Sequence, residues 1–425
     1  MPQVLIAGSG IAGLSAAWHA TRKGLETVVL EKDNSWGGLL DSFSVGSFRF
    51  DKAVHFAFSS NDPYSELLKK TELITHKPNP YNHYCGYWLK HPVQNNLYPL
   101  PAEDKTKALV SFINRPEYRD GGSYHHWLYS QLGEEIAERF PVRYTKKYWT
   151  VHPELLSTDW IGNRIYRPSL EEVLLGAMSD KTSFVYYLPQ MFYPQKGSFK
   201  SILKPLVDNF TIHCDREIIR INPQNRFVEC KDGSREYYDI FASSIPLPAL
   251  ARLLEDIPDA VAKAAEKLWS TSVALVSLGY KSANHFCYPW FYIYDEDIYA
   301  ARAHSPHLKS PDNVPAGCSS IQFETYFSPY RPLTADGDKL IRQAISLVEK
   351  FGFAASTDLA VTDFRLLPYA NVVFDHQIIK ARNIVREHIK QLGILTIGRF
   401  GEWDYLWADQ SYISGKKIED KIGML

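Results

Sequence analysis

The stretch Val4-Leu5-Ile6-Ala7-Gly8-Ser9-Gly10-Ile11-Ala12-Gly13 decides the fold. Val4 to Ala7 reads as a buried parallel strand, and Leu14, Ala17, Trp18 and Ala20 follow at helical spacing, so the glycines occupy a strand-to-helix turn. Gly8 permits the tight turn, Gly10 lets backbone approach a pyrophosphate at the positive helix end, and Gly13 lets helix and strand pack closely. Ile11 and Ala12 supply the first helical N–H groups. A second strand, residues 26–30, delivers Glu31 at its C-terminal end, 18 positions past Gly13, with Lys32 beside it. That carboxylate suits two ribose hydroxyls and repels a 2′-phosphate. The turn is expected to bind a dinucleotide.

Over 425 residues, 45% hydrophobic and 22% charged side chains describe an ordinary globular chain of two to three domains. The formal net charge of −1 gives no support to nucleic-acid or anionic-membrane binding. The first strand begins by Gln3, which leaves no room for a signal peptide, and no apolar run reaches roughly 18 residues, so no membrane insertion is expected. Five cysteines without close paired spacing fit reduced thiols and a cytoplasmic location. No metal-ligand spacing and no Ser-His-Asp arrangement is legible. The 26 Tyr, 22 Phe and 10 Trp include clusters in polar surroundings, such as Tyr81-Asn82-His83-Tyr84 and Tyr292-Ile293-Tyr294, which suggest a wide polar cleft.

The fold class expected is α/β. A Rossmann-like cofactor domain is assembled from residues 1–80, 190–262 and 355–425. A helical insertion spans 81–189, and a mostly antiparallel β substrate domain spans 263–354. Residues 78–101 read mostly as loop. Tyr238 to Ser244 reads as a strand returning to the first sheet, and Gly393 to Phe400 as a further buried strand.

Several segments in order carry a resemblance. They are Trp36-Gly37-Gly38-Leu39 with Phe50-Asp51-Lys52-Ala53-Val54-His55, and His91-Pro92-Val93-Gln94-Asn95-Asn96-Leu97. Further along come Arg143-Tyr144-Thr145-Lys146-Lys147-Tyr148-Trp149 with Trp160-Ile161-Gly162-Asn163-Arg164, and Gly398-Arg399-Phe400-Gly401-Glu402-Trp403-Asp404-Tyr405 with Asp409-Gln410-Ser411. Over nearly the whole chain they resemble glutathione-reductase-type flavoproteins, and among these the UDP-galactopyranose mutase family.

The resemblance implies FAD, held by Gly8, Gly10, Gly13, Glu31, Lys32, Gly37, Gly38, Leu39, Ile218, Gly398, Arg399, Asp409, Gln410 and Ser411. It implies a nucleotide-diphosphate sugar as substrate, with Arg164 and Arg302 clamping the diphosphate and Tyr369 and Tyr405 donating to it. Gln94, Asn95, Thr145, Trp149 and Asn163 complete the substrate side, and His55 shapes the flavin environment. The implied reaction is a non-redox pyranose/furanose interconversion in which N5 of reduced flavin attacks the anomeric carbon. A nicotinamide is the expected external reductant, and a homo-oligomer is compatible with the sequence. Each residue also has a plainer role: buried Arg and Tyr satisfy polar groups between helices, Trp149 packs in a core, and His55 bonds within its loop. The chain departs from the family pattern at Ala53 and Val54, where two glycines are usual, at Thr145 and Asp409, where asparagine is usual, and in a flavin turn reduced to Gly197-Ser198-Phe199. The alternative is an oxidoreductase of the amine-oxidase or protoporphyrinogen-oxidase type, whose cavity would be aromatic without convergent arginines.

Overall fold

A computed structural model describes residues 3–58, 63–118, 121–162, 164–184, 188–283 and 288–423. Five parallel strands form the first sheet, in the order Leu395–Thr396, Ile240–Ser243, Gln3–Ala7, Glu26–Leu30, Thr211–His213. Val4, Leu5, Ile6 and Ala7 are fully buried, as both faces of such a sheet are covered. The helix Ile11–Arg22 covers one face and packs on Ala408–Lys416, where Ser15 Oγ donates to the Tyr412 carbonyl at 2.7 Å.

The returning strand forms in register, with Val4 opposite Ile240. The last one is shorter than its apolar run suggests. Pairing stops at Thr396, and Gly398, at a φ of +75°, starts a helical turn to Gly401, because the chain must leave the sheet where the cavity opens.

Seven strands form the second sheet, in the order Leu359–Val372, Ser270–Tyr280, Ser319–Phe327, Arg302–His304, Trp290–Ile293, Tyr81–Tyr84, Tyr87–Lys90. Every pairing is antiparallel except Trp290–Ile293 with Tyr81–Tyr84. The expected boundaries therefore shift. Residues 81–90 form a hairpin in this sheet rather than loop or helical insertion, and 359–372 leave the cofactor domain to become its edge strand. Polar residues conceal that hairpin in sequence: Asn82 and His83 are buried because Asn82 bonds the Leu89 and Lys90 carbonyls and His83 pairs with Asp295 at 2.8 Å.

Helices Ala102–Ile113, Tyr124–Leu132, Arg143–Tyr148 and Leu170–Met178 make up the helical region. A π-turn, Glu138–Val142, leads into Arg143–Tyr148; it contains Pro141, which lacks the N–H a regular helix would use. One apolar core runs from Leu5 through Trp127 and Phe140 to Trp403, joining the parallel sheet to the helical region. No described helix is long and apolar enough to cross a membrane.

Candidate active site

A cavity of about 970 Å³ lies where the C-terminal ends of the parallel strands meet the helical region and the large sheet. That is the position at which open α/β sheets bind ligands, and the volume is at the upper end of the roughly 300–1,000 Å³ usual for ligand sites.

At one end the glycine turn is laid out as its spacing predicts. Gly8 adopts a φ of +93°. A Cβ on Gly13 would lie 1.9 Å from the Gly8 carbonyl oxygen, so helix and turn touch, whereas a Cβ on Gly10 would meet nothing within 4 Å. The Ile11–Arg22 helix starts at Gly10 with no side-chain cap and no acidic residue in its first turn, leaving its positive end available to an anion. Glu31, 7% exposed, accepts from the Ser9 N–H and Oγ at 2.8 and 2.6 Å and from the Asp33 N–H at 3.0 Å. Ile11, Ala12, Lys32, Gly37, Gly38, Leu39, Ile218, Gly398 and Ser411 line the same end with Gly8, Gly10 and Glu31.

The opposite wall is cationic and aromatic. Arg302 and Glu324 are directly opposed on neighbouring strands, and Arg302 Nε donates to Glu324 Oε2 at 2.5 Å. Glu324, fully buried, also accepts from Tyr326 Oη at 2.5 Å and from the Val54 N–H at 2.7 Å. Burial, the largest single effect, opposes the Arg302 charge, but the Glu324 carboxylate together with Tyr326, Tyr148 and Tyr144 outweighs it and holds the guanidinium above its ordinary range. Tyr148 lies beside Arg302, 5.4 Å from guanidinium carbon to ring centre, and donates to Asn371 Oδ1 at 3.0 Å. Arg399 donates to the same oxygen at 3.0 Å. Arg399 and Arg164 each hold a guanidinium 4.6 Å from the Tyr405 ring centre. Arg164 also donates to the Trp160 and Tyr405 carbonyls at 2.6 and 3.0 Å. Three arginines thus converge through Tyr148, Asn371 and Tyr405 on one cavity, and all six residues line it.

Between the two ends lies His55. Among the described residues its buried Nδ1 has no hydrogen-bond partner, and burial pushes the imidazole down to about 4, so it is neutral at pH 7 and a weak base. Below its loop, Asp51 is fully desolvated with Lys309 at 2.6 Å and accepts from Tyr193 Oη at 2.8 Å and the Phe199 N–H at 3.1 Å. Ala53 adopts a φ of +82°, a left-handed backbone that a side chain disfavours.

Gln94, Thr145, Trp149, Tyr369 and Tyr405 line the cavity. Trp149, 4% exposed, is also core, packed on Tyr148, Trp160 and Tyr405. Three expected site residues fall elsewhere. Asn95 is buried against the helix Leu170–Met178, where a Cβ on Gly176 would lie 1.9 Å from its carbonyl oxygen. Gln410 is exposed and accepts from the Trp407 N–H at 2.9 Å, and Asp409 is buried beside the cavity without lining it. Asn163 lies outside the described residues. Arg399, expected on the flavin, joins the arginine wall. Sequence reading missed Glu324, Asn371 and the role of Tyr148; a lone carboxylate inside the buried strand Ser319–Phe327 was the available signal for the first. It also missed that His125, Glu138 and His152 come together, with ligand atoms within 4.8 Å of one another, because they lie on three separate segments.

A parallel sheet with a glycine-cornered helix end, set against a large antiparallel sheet, defines a Rossmann-like fold with a second domain that closes over the cavity. A family model for an NAD(P)-binding Rossmann-like domain matches residues 6–71. The fold is that of UDP-galactopyranose mutase: the reduced form of that enzyme superposes with a TM-score of 0.92 at 22% identity, over 100% of this chain and 96% of that one. A candidate protoporphyrinogen oxidase from Exiguobacterium sp. 255-15 follows at 0.77 and 16% identity, over 100% and 99% of the two chains. In sequence, 51 residues are 45% identical to a 1-hydroxycarotenoid 3,4-desaturase from Flavobacterium sp. (strain P99-3), a match covering 12% of this chain and 10% of the desaturase.

Proposed function

We propose that this protein is an FAD-dependent nucleotide-sugar mutase that interconverts pyranose and furanose forms. The convergence of Arg164, Arg302 and Arg399 on one cavity carries this reading, because an apolar or amine substrate has no use for three guanidinium groups. The residues fit the cofactor: the space beyond Gly10 and the uncapped helix end suit a pyrophosphate, and Glu31 suits the ribose hydroxyls. Ile218 would pack on adenine, and Gly398 and Ser411 would border the flavin.

Reduced flavin would supply the nucleophile that displaces the diphosphate from the anomeric carbon. The chain's own part is to hold that leaving group. Guanidinium groups bind phosphate oxygens in a planar fork and keep their charge when desolvated, so the released diphosphate stays in place for its return. Glu324 takes the Nε side of Arg302 and leaves the rest of the guanidinium for the ligand. Tyr369 and Tyr405 offer phenolic donors, Tyr148, whose proton goes to Asn371, packs beside Arg302, Trp149 and Trp160 exclude water, and neutral His55 adds no charge to the centre.

The test incubates the protein, dithionite-reduced and oxidised in parallel, with a panel of nucleotide-activated hexopyranoses. Furanose products from the reduced protein alone support the reading. Hydrogen peroxide formed from an amine or cyclic substrate, with no furanose, would overturn it. Arg164→Ala is expected to keep the yellow cofactor and to weaken nucleotide-sugar binding at least tenfold.

A further inference from the structure

Outside the cavity, in the helical region, His125, Glu138 and His152 form a cluster that the proposed reaction does not use. We propose that these three residues bind a divalent transition-metal ion of the Zn2+ type. One ligand atom from each lies within 4.8 Å of the others. His125 Nε2 and Glu138 Oε1 are 3.2 Å apart, and the two imidazole centres are 4.9 Å apart. Tetrahedral Zn2+ with bonds of about 2.0–2.2 Å sets its ligand atoms roughly 3.4 Å from one another, so one pair already has the spacing and His152 needs only a small side-chain rotation.

The surroundings fit. Tyr129 Oη donates to Glu138 Oε1 at 2.9 Å and orients the carboxylate, as outer partners of metal ligands do. His152 Nδ1 accepts from the Glu154 N–H at 3.3 Å, a long bond that ligation by either ring nitrogen would give up, since metal on Nε2 requires a proton on Nδ1. Two imidazoles and one carboxylate leave a net charge of −1 and an open fourth position. The His125 and Glu138 side chains are 23% and 42% exposed, so water can fill it. Nearby charges are mixed, with Lys146 and Glu154 both acting on His152.

Backbone geometry assembles the set. The turn at Gly133, φ +75°, reverses the chain after Tyr124–Leu132, and the π-turn Glu138–Val142 starts at the ligand itself. Tyr124, Pro141 and Trp149, next to or near these ligands in sequence, line the cavity. A bound ion would brace that wall from behind.

The test is Zn2+ titration of the chelator-stripped, flavin-loaded full chain by calorimetry, with Co2+ as a spectroscopic probe. One equivalent is expected to bind, with cobalt absorption to the red of the flavin bands. Saturation to 100 times Kd should raise Tm by about 3 °C. His125→Ala and His152→Ala should each weaken binding at least tenfold, and the milder Glu138→Gln should do so with flavin content unchanged. The exposed neighbour His126→Ala should bind as the parent does. Absence of stoichiometric binding, or affinity unchanged in the His125, His152 and Glu138 variants, overturns the proposal.

Discussion

Replacing Glu324 by glutamine tests the arginine wall most directly. The substitution keeps volume and retains an acceptor for the Val54 N–H, but it takes the only charged hydrogen-bond partner from Arg302 Nε among the described residues. Arg302 sits beside the Tyr148 and Tyr326 rings, so little else compensates its charge. Leaving a buried charge without its partner costs about 3–5 kcal/mol. For 425 residues, an unfolding entropy of about 2.1 cal/mol/K per residue sums to roughly 0.9 kcal/mol/K, so Tm should fall by about 3–6 °C. Calorimetry of the flavin-loaded protein measures this. The double variant Glu324→Gln/Arg302→Met removes the stranded charge and should recover part of the loss, since no unpaired charge is then left in the interior. A Glu324→Gln protein that melts within about 1 °C of the parent, or a double variant below the single one, refutes the assignment of Arg302 as a desolvated, Glu324-held cation.

Two further outcomes follow from the same structure. Gly10→Ala should fold normally and lose flavin at least tenfold in affinity, whereas Gly13→Ala should disrupt folding, because its Cβ would lie 1.9 Å from a backbone oxygen; circular dichroism and flavin absorbance separate the two, and a Gly10→Ala protein with full flavin content counts against a pyrophosphate there. Burial pushes His55, His91 and His307 down to about 4, so the unfolded chain, with histidines near 6.5, binds more protons between those values: stability is complete above about pH 6.5 and falls toward pH 4 by roughly 4 kcal/mol per pH unit for the three, and a Tm equal at pH 7 and 5 excludes this.

The glycine turn was legible because its chemistry is local: ten consecutive residues contain the strand end, the turn and the helix start. Arg164 and Arg302 were marked by the resemblance of their flanking segments to a known family, but their partners were not. Asn95 and Gln410 look equally polar in sequence, yet one packs under a helix and the other faces solvent. The 81–90 hairpin stayed hidden because its strand partner, Trp290–Ile293, lies some 200 residues away and its buried polar side chains are satisfied only by tertiary contacts.

The sequence by itself therefore determined the glycine turn and the strands and helix around it, which follow from short-range pattern and backbone preference, while the arginines were marked by the resemblance of their flanking segments to a family. Tertiary structure alone decided that Arg302 is tied to Glu324, that Arg399 reaches Asn371 beside Tyr148, and that His125, Glu138 and His152 face one another. Cross-strand register and helix reversal fix those meetings, and each joins side chains from separate elements whose approach no local spacing records.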